Sequence, residues 1–316
     1  MNGVLIIDKP AGLTSHDVVN RVRRILNQRS VGHLGTLDPM ATGILPLVTG
    51  NFTRLAQFYV NSEKTYEGTI RFGFSTDTYD AEGDPTSQPQ NVILGKDKLE
   101  DLSARFRGVI TQTPPPFSAK KIKGVPAYKL ARQQKEVVLK PVEVEIKEFE
   151  ILSVTTDRAQ FRARVASGTY MRSVAHDLGQ LLGCGAHLGT LRRTRVAEFT
   201  LEDAHTLERL AELTTNSHPD RSCAFPEGKG SGVEGPRVSA EVEALFIHPR
   251  KLLPQFPSVT ADDASAARIR TGRTVNLPEL SRARQVKVFT GQRDLIAIAT
   301  RIAGTLFHPK IVLCAS

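Results

Sequence analysis

A loop rich in glycine, proline and threonine, at residues 32–43, constrains this chain more than any other part of its sequence. It follows a helical pattern and precedes an apolar run at residues 44–48. Glycine permits close approach of the backbone and positive φ, and Pro39 restricts the turn directly after Asp38. An aspartate in a lone Leu-Asp-Pro turn usually has only a structural role. A loop this restricted instead predicts that Asp38 is held in one place, as a nucleophile or a general base must be.

Strands and helices alternate along the first two thirds of the chain. The predicted strands are residues 4–7, residues 65–74, and a hairpin pair at 142–154 and 158–166. One predicted helix begins after a capping residue at Thr14 or Ser15 and runs directly into the Asp38 loop. A second helix begins near Tyr170 and ends at Gly183. This mixture predicts the α+β class.

The charge of the chain favours a polyanionic partner. The sequence contains 42 Lys and Arg residues against 33 Asp and Glu residues, which gives a formal net charge of +9. The excess is concentrated at the C-terminal end, where residues 247–316 contain eleven basic and four acidic residues. These basic residues alternate with apolar, strand-like runs, which indicates a folded basic module. Such a module is typical of proteins that bind nucleic acid.

Other features of the composition exclude whole classes of function. The three cysteines, Cys184, Cys223 and Cys314, have no metal-ligand spacing, so the sequence predicts neither a disulfide framework nor a metal site. The apolar runs are too short to cross a bilayer, and the N-terminus lacks the pattern of a secretory signal. We therefore expect a cytoplasmic protein with no membrane partner.

The composition changes near residue 214. Residues 214–241 are rich in glycine, proline and serine and poor in apolar residues, which predicts a flexible linker. Short strand-like segments separated by turn residues follow at 258–260, 272–273, 286–289 and 295–299. Their spacing predicts a small β-barrel.

Several blocks of the sequence resemble, in the same order, the motifs of the TruB family of tRNA pseudouridine synthases. The loop at residues 32–43 resembles the family signature G-H-x-G-x-L-D-P-x-A-T-G, in which the aspartate is the catalytic residue. The other matching blocks are residues 3–15, 64–66, 76–83, 116–132, 167–179 and 191–194. In the C-terminal region, residues 267–273 and 295–299 resemble a PUA domain, which is an RNA-binding barrel.

The resemblance implies an α+β pseudouridine synthase fold. In this fold a central mixed, mostly antiparallel sheet is flanked by helices and loops, and a small PUA-like barrel follows. The implied division is a catalytic domain over residues 1–214, a Gly/Pro-rich linker over 215–245 and a PUA-like RNA-binding domain over 246–316. The basic, proline-rich segment at residues 111–136 resembles the family's mobile flap over the bound stem-loop.

The resemblance also implies roles for individual side chains around the reaction. Asp38 is expected to be the catalytic residue, and Arg172, in the Gly-Thr-Tyr-x-Arg block, to be its counter-charge. Tyr66 is expected to stack on the target base, and Leu191 to line the base pocket. Whether Asp38 attacks carbon or removes a ribose proton stays open.

Three further residues are expected to support substrate binding. Lys9 resembles the lysine that supports the catalytic loop. His33 resembles the histidine that enters the RNA loop and takes the stacking position of the flipped base. Tyr170 belongs to the same block as the arginine and is expected among the substrate-binding residues.

The implied activity is the isomerisation of uridine to pseudouridine at position 55, in the T loop of tRNA. This reaction flips the base out, breaks its glycosidic bond and re-attaches it through C5, with no metal or cofactor. The expected partner is the T stem-loop of tRNA, bound by a monomer with no protein partner. Two alternatives stay open: a guide-RNA-dependent ribosomal RNA synthase, and a tRNA-binding or tRNA-folding module without catalysis.

Overall fold

The computed structural model describes residues 1–216 and 240–313, apart from residues 119, 123, 134–136 and 138. The strands are β1 (Gly3–Lys9), β2 (Val31–His33), β3 (Thr42–Thr49), β4 (Lys64–Phe72), β5 (Gly108–Gln112), β6 (Lys121–Ile122), β7 (Val125–Pro126), β8 (Val142–Val154), β9 (Arg158–Val165), β10 (Ala186–Val196), β11 (Phe199–Thr200), β12 (Ala204–His205), β13 (Ser258–Thr260), β14 (Val275–Asn276), β15 (Gln285–Thr290), β16 (Asp294–Ala303) and β17 (Leu306–Val312).

The helices alternate with these strands. They are α1 (Ser15–Ile25), α2 (Ala56–Tyr59), α3 (Lys96–Ala104), α4 (Ala127–Arg132), α5 (Met171–Leu182), α6 (Leu207–Asn216), α7 (Ala240–Ala244) and α8 (Asp263–Arg270). Short 3-10 turns occur at Gly50–Leu55, Leu201–Asp203 and Pro249–Lys251. None of the helices in the described part of the chain combines the length and the apolar character needed to cross a membrane.

One ten-stranded sheet forms the centre of the N-terminal part. Its strand order is β12-β1-β3-β10-β4-β9-β8-β5, with β2 paired to β3 and β11 paired to β10. The β1–β12 and β3–β10 pairs are parallel, and the other pairs are antiparallel. The prediction of a mixed, mostly antiparallel sheet is therefore confirmed.

The first helix begins where the sequence predicted, because Thr14 and Asp17 form a capping box. The Thr14 hydroxyl accepts a hydrogen bond from the Asp17 amide at 3.1 Å, and the Asp17 carboxylate accepts one from the Thr14 amide at 2.9 Å. The expectation that this helix runs directly into the Asp38 loop is wrong, since α1 ends at Ile25, a turn follows, and the loop at residues 32–43 begins within β2. This strand has three residues, too few for an alternating pattern to be visible in the sequence.

A five-stranded sheet in the order β13-β15-β16-β17-β14 forms a separate C-terminal unit. It curls around a core that includes Val259, Val288 and Phe307, against which α8 packs. The predicted small barrel is therefore confirmed. The strand expected at residues 272–273 is wrong, because these residues follow α8 as a turn in which Gly272 has a φ of +76°.

The barrel and the main sheet share one hydrophobic core. Apolar side chains from both units belong to the same buried cluster, among them Val4, Ile6, Ile44 and Val48 of the sheet and Leu252, Phe289, Ile298 and Ile311 of the C-terminal unit. Polar contacts cross the same boundary. The Glu198 carboxylate accepts hydrogen bonds from the Tyr59 hydroxyl at 2.6 Å and from the Leu253 amide at 2.9 Å. The two units are therefore joined by side-chain packing as well as by the chain itself.

The two ends of the predicted linker are helical in the structure, and its middle, residues 217–239, lies outside the described residues. Helix α7 packs beside α6, and the segment after it returns to the edge of the main sheet. There the Ile247 amide donates to the Val4 carbonyl at 2.8 Å, and Phe246 forms a bridge with Leu5. The domain bounds near residues 214 and 246 stay a prediction.

Glu198→Ala is expected to lower the free energy of unfolding by about 2 kcal/mol, since the Tyr59 hydroxyl would lose its acceptor and the Leu253 amide would keep only its longer bond to that hydroxyl, at 3.3 Å. Urea denaturation measures this loss, and the slope of the free energy of unfolding against urea concentration should be the same as in the wild type. Tyr59→Phe is the matched control and should cost less, because the Glu198 carboxylate keeps its bond from the Leu253 amide. Equal losses for the two variants would contradict a central role for this carboxylate.

Candidate active site

Hydrogen bonds hold the Asp38 loop on both sides of the aspartate. The Ser15 hydroxyl, buried at the start of α1, accepts from the Leu37 amide at 2.8 Å and donates to the Leu37 carbonyl at 3.1 Å. The Gly12 amide donates to the Pro39 carbonyl at 2.9 Å. The residues directly before and after Asp38 are therefore fixed to the turn between β1 and α1.

Lys9, the last residue of β1, also binds the Asp38 loop. Its side chain is completely buried at the end of β1, and its ammonium group donates to the carbonyls of Pro10 at 2.9 Å, Leu13 at 2.6 Å and Pro39 at 3.1 Å. Burial lowers the pKa of Lys9 to about 8, and the nearby Asp38 carboxylate opposes this decrease. Three carbonyl acceptors suit the three donors of the charged form.

Arg193 is a second buried cation beside the loop, and the sequence analysis assigned it no role. It lies on β10 with 1% of its surface exposed. Its guanidinium donates to the Gly35 carbonyl at 3.0 Å, to the Thr36 carbonyl at 3.3 Å and to the Ile44 carbonyl at 2.9 Å. Its place in the matching block at residues 191–194 was the available signal, but its carbonyl partners lie about 150 residues away in the sequence.

Arg172, on the first turn of α5, lies between two carboxylates. Its Nη2 donates to Asp38 Oδ1 at 3.0 Å, and its Nε lies 3.0 Å from Asp38 Oδ2 in an ion pair without hydrogen-bond alignment. On the other side, its Nη1 lies 3.5 Å from Asp80 Oδ2. The side chains of Arg172 and Asp80 are 6% and 4% exposed, whereas that of Asp38 is 35% exposed. Asp38 is therefore the member of the three that a ligand can reach.

Asp80 is the second functional candidate that the sequence analysis missed, although residues 76–83 were recognised as a matching block. Its Oδ1 accepts from the Thr78 hydroxyl at 2.6 Å and from the Glu82 amide at 3.0 Å. The same turn and the segment before β6 also supply carbonyls to Arg172, from Thr78 at 3.2 Å and from Phe117 at 2.9 Å. The guanidinium is thus surrounded by acceptors that fix its plane.

The Asp38 carboxyl group has a perturbed acidity. Burial raises its pKa above the ordinary value, and the neighbouring Asp80 adds to this increase. Arg172 and Lys9 oppose the increase, because each favours the charged carboxylate. Asp38 therefore holds its proton more firmly than a surface aspartate does, and Arg172 is the neighbour that most favours its ionised form.

Two of the expected substrate-binding residues, Tyr66 and Leu191, are buried with apolar residues of the Asp38 loop. Tyr66, on β4, and Leu191, on β10, are each 8% exposed. They belong to the same buried cluster as Leu37 and Ala41 of the Asp38 loop. Small-molecule sites in proteins are mostly apolar with a few placed polar groups, and apolar side chains that share a cluster with this loop fit that pattern.

Tyr170 lies directly before α5 and close to the charged groups. Its backbone is held by Gln112, which accepts from the Tyr170 amide at 2.8 Å and donates to the Tyr170 carbonyl at 3.1 Å. Burial raises the pKa of the Tyr170 phenol, and Asp38 adds to the increase while Arg172 opposes it. The hydroxyl is therefore within electrostatic range of both.

His33 lies at the end of β2, five residues before Asp38. Its Nδ1 accepts from the Gly35 amide at 3.3 Å, and burial, together with Arg193, lowers its pKa, which favours the neutral ring. Across the described structure, His33 forms neither a hydrogen bond nor an ion pair with Asp38. The structure thus brings Asp38 and Arg172 together and buries Tyr66 and Leu191 in one cluster with residues of the Asp38 loop. His33 lies at the start of that loop.

No group of three His, Cys, Asp or Glu side chains within the described residues is arranged to hold a metal ion. The expectation that no metal or cofactor takes part stays a prediction. The arrangement offers instead a partly exposed carboxylate that a buried guanidinium orients, in a loop whose Leu37 and Ala41 pack in an apolar cluster. Such a group can act on a bound substrate as a nucleophile or as a base.

Comparison with known proteins agrees with this geometry. Residues 23–171 match the family model described as TruB family pseudouridylate synthase (N terminal domain). Residues 172–225 match the one described as tRNA pseudouridylate synthase B C-terminal domain. The chain is 48% identical to tRNA pseudouridine synthase B of Solibacter usitatus (strain Ellin6076), over 99% of this chain and 100% of that protein. Its identity to the protein of the same name from Azoarcus sp. (strain BH72) is 38%, over 93% of this chain and 90% of that protein.

Solved structures share the fold. A chain from the crystal structure of a Cbf5-Nop10-Gar1 complex is 25% identical, with a TM-score of 0.68 over 99% of this chain and 85% of that one. A chain from an H/ACA RNP bound to a substrate RNA is 24% identical, with a TM-score of 0.69 over the same shares. The expected pseudouridine synthase fold with its C-terminal barrel is thereby confirmed. On its identity to relatives that it matches along nearly its whole length, this chain belongs to the TruB family of pseudouridylate synthases.

Proposed function

We propose that this protein isomerises uridine to pseudouridine at position 55, in the T loop of tRNA. The observation that carries the proposal is the partly exposed Asp38 carboxylate, oriented by a buried Arg172. It lies in a chain whose relatives at 38–48% identity are named tRNA pseudouridine synthase B. The reaction conserves all atoms, so the chemistry needs no group donor.

The proposed reaction begins with extrusion of the target nucleotide from the T loop, at a cost of about a few kcal/mol. Tyr66 and Leu191, which share an apolar cluster with the Asp38 loop, would contact the extruded base. Asp38 would act at the ribose, either by attacking carbon or by removing a proton, while the bond between C1′ and N1 breaks. After the base rotates, C1′ joins C5, the proton on C5 leaves, and N1 gains a proton. Asp38 ends the cycle as the free carboxylate.

The remaining site residues would prepare this step. Arg172 would keep Asp38 ionised and oriented, and Lys9 would hold the loop through the Pro39 carbonyl. Tyr170 would line the site beside the arginine. His33 would stack within the opened RNA loop, for which a neutral ring is suitable.

The basic C-terminal barrel would supply affinity through phosphate contacts outside the T loop. Arg270 and Arg273 are exposed near the turn after α8 and are suitable for such contacts. Arg270→Gln combined with Arg273→Gln is expected to weaken tRNA binding and to reduce the slope of log affinity against log salt by about 0.7–0.9 for each lost contact.

Equilibrium binding at four or more salt concentrations measures this slope. Lys96→Gln combined with Lys98→Gln on α3 changes the net charge equally and serves as the control. An unchanged slope in the arginine variant, or an equal change in the control, would contradict tRNA contact at the turn after α8.

The direct test uses the purified full chain and an unmodified tRNA transcript, with no other protein or RNA. Pseudouridine is then mapped by chemical labelling and primer extension. The proposal expects one modified uridine, in the T loop. Modification only after a guide RNA is added would support the ribosomal RNA alternative, for which structural neighbours at 24–25% identity provide less support. Binding without any product would support the non-catalytic alternative.

The monomeric state and the cytoplasmic location are also parts of this proposal. Both derive from the sequence, through the lack of an evident partner surface and the scattered cysteines. Sedimentation of the free protein and of its tRNA complex would test the first.

A further inference from the structure

Tyr79, beside the active site, has an unusual backbone conformation. Its φ is +65°, in the left-handed region that glycine adopts without cost. A bulky side chain in this conformation is strained and persists only where the surroundings enforce it. The contacts that enforce this conformation are therefore informative about the turn.

The Tyr79 ring lies face to face with the ring of His176. The ring centroids are 3.8 Å apart, and the planes differ by 11°. His176 lies on α5, four residues after Arg172, so the two side chains occupy the same side of the helix, one turn apart. The stack thus connects the turn that contains Tyr79 to the helix that carries the arginine.

The residues on either side of Tyr79 both contact Arg172. The Thr78 carbonyl accepts from its Nη1 at 3.2 Å, and the Asp80 carboxylate lies 3.5 Å from the same nitrogen. The backbone of Tyr79 itself is held by the Leu188 amide, which donates to its carbonyl at 3.0 Å. A rotation of the backbone at Tyr79 would therefore turn both acceptors away from the guanidinium.

Packing, and not hydrogen bonding, holds the His176 ring. Its Nδ1 is buried and has no hydrogen-bond partner in the described structure. Burial lowers the pKa of His176, so the ring is neutral at neutral pH. The adjacent Asp177 is half-buried, and burial raises its pKa to about 6. Because Nδ1 makes no hydrogen bond, the stack with Tyr79 is the main side-chain contact of His176 that the described structure shows.

We propose that Tyr79 and His176 are positioning residues for the reaction. Their stack keeps the turn at residues 78–80 in its left-handed conformation against α5, so that the Thr78 carbonyl and Asp80 hold Arg172. The arginine in turn orients Asp38. The inference rests on the proposed function for its kinetic readout, but its geometric content is independent of the substrate.

Four single variants separate ring stacking from other properties. Tyr79→Phe and His176→Phe keep a flat ring, whereas Tyr79→Asn tolerates positive φ without an aromatic ring and His176→Leu fills the space without one. The ringless variants are expected to lower the single-turnover rate about tenfold, with tRNA affinity within about twofold, because the loss lies in the oriented active site. The two phenylalanine variants should retain a rate within about threefold of the wild type.

Two readouts exclude a merely structural role. The acid limb of the pH–rate profile should move to higher pH in the ringless variants, because a less firmly held arginine stabilises the Asp38 carboxylate less. The double variant Tyr79→Asn with His176→Leu should be no slower than the slower single variant, since both changes remove one contact. If one ringless variant does not fold, the other carries the test.

A measurement without substrate separates this inference from the proposed function. Carbon-13 NMR titration of the Asp38 carboxyl group in the free protein should show a higher pKa in the ringless variants than in the wild type. A wild type that makes no pseudouridine would overturn the proposed function and leave this titration valid. Ringless variants with wild-type rates and wild-type Asp38 titration would overturn the inference, as would phenylalanine variants that lose as much activity as the ringless ones.

Discussion

Asp38→Asn is expected to abolish pseudouridine formation, with a decrease in the single-turnover rate of at least about a thousandfold, or about 4 kcal/mol. Asparagine is nearly isosteric and its carbonyl can still accept from Arg172, so the loop keeps its shape. The amide is neither a base nor an anionic nucleophile. The affinity for tRNA should stay within a few-fold of the wild type, because binding rests on many phosphate contacts.

Single-turnover assays at saturating protein, with tRNA binding measured in parallel, test this result. Asp17→Asn is the matched control, since it makes the same chemical change at an exposed aspartate that caps α1. The control should form pseudouridine at the wild-type rate. Substantial product from the purified Asp38→Asn protein would show that Asp38 is not the catalytic residue.

Arg172→Met is expected to reduce both the rate and the stability. Asp80, with 4% of its side chain exposed, would stay buried without its counter-charge. Removing one member of a buried pair costs about 3–5 kcal/mol in the free energy of unfolding. The single-turnover rate should fall by at least about a hundredfold, because Asp38 loses the group that orients it.

The pH dependence of this variant follows from the same contact. Arg172 lowers the pKa of Asp38 and opposes the effect of burial, so its removal raises that pKa further. Because the reaction needs the ionised carboxylate, the acid limb of the pH–rate profile should move to higher pH. Arg172→Lys keeps the charge without the planar fork and should give an intermediate rate. A near-normal rate in Arg172→Met would show that the arginine is not the partner of Asp38.

Local sequence patterns predicted much of the fold correctly. The capping box at Thr14, the hairpin at residues 142–166 and the end of α5 at Gly183 each depend on neighbouring residues. The Asp38 loop was likewise visible from its own glycines and proline. The pattern of β2 is too short to be recognised. Helix α8 was missed although a local signal was present, since Asp262 caps it and helix-forming residues follow.

The contacts that complete the site were not predictable in this way. Asp38 meets Arg172 across 134 residues of sequence, and Arg193 reaches the Gly35 carbonyl across 158. Arg193 reaches the loop because β10 lies between β3 and β4 in the sheet, and α5, which carries Arg172, packs against β10. No local pattern specifies this order. Asp80 and Arg193 were therefore visible only as members of matching blocks, without a role.

The flexible linker predicted from composition suggested two units that could be separated by truncation. The structure argues against this experiment. Removing everything after residue 214 would delete α7, which packs beside α6, and would uncover the apolar surface that the barrel shares with β1 and β3. Loss of activity in such a fragment would report on folding, so surface variants such as those at Arg270 and Arg273 are the better test of the barrel.

The shared core also has a thermodynamic consequence for binding. Two modules joined by a flexible linker lose freedom of motion relative to each other when both bind one ligand. The affinity of the second contact then depends on the effective concentration that the linker allows. Here the packing of Leu252, Phe289 and Ile298 against the main sheet has already removed that freedom during folding. The spacing between Asp38 and the exposed Arg270 and Arg273 of the barrel is thus set before any RNA arrives. An RNA with a stem of the wrong length would have to bend its own helix in order to reach both.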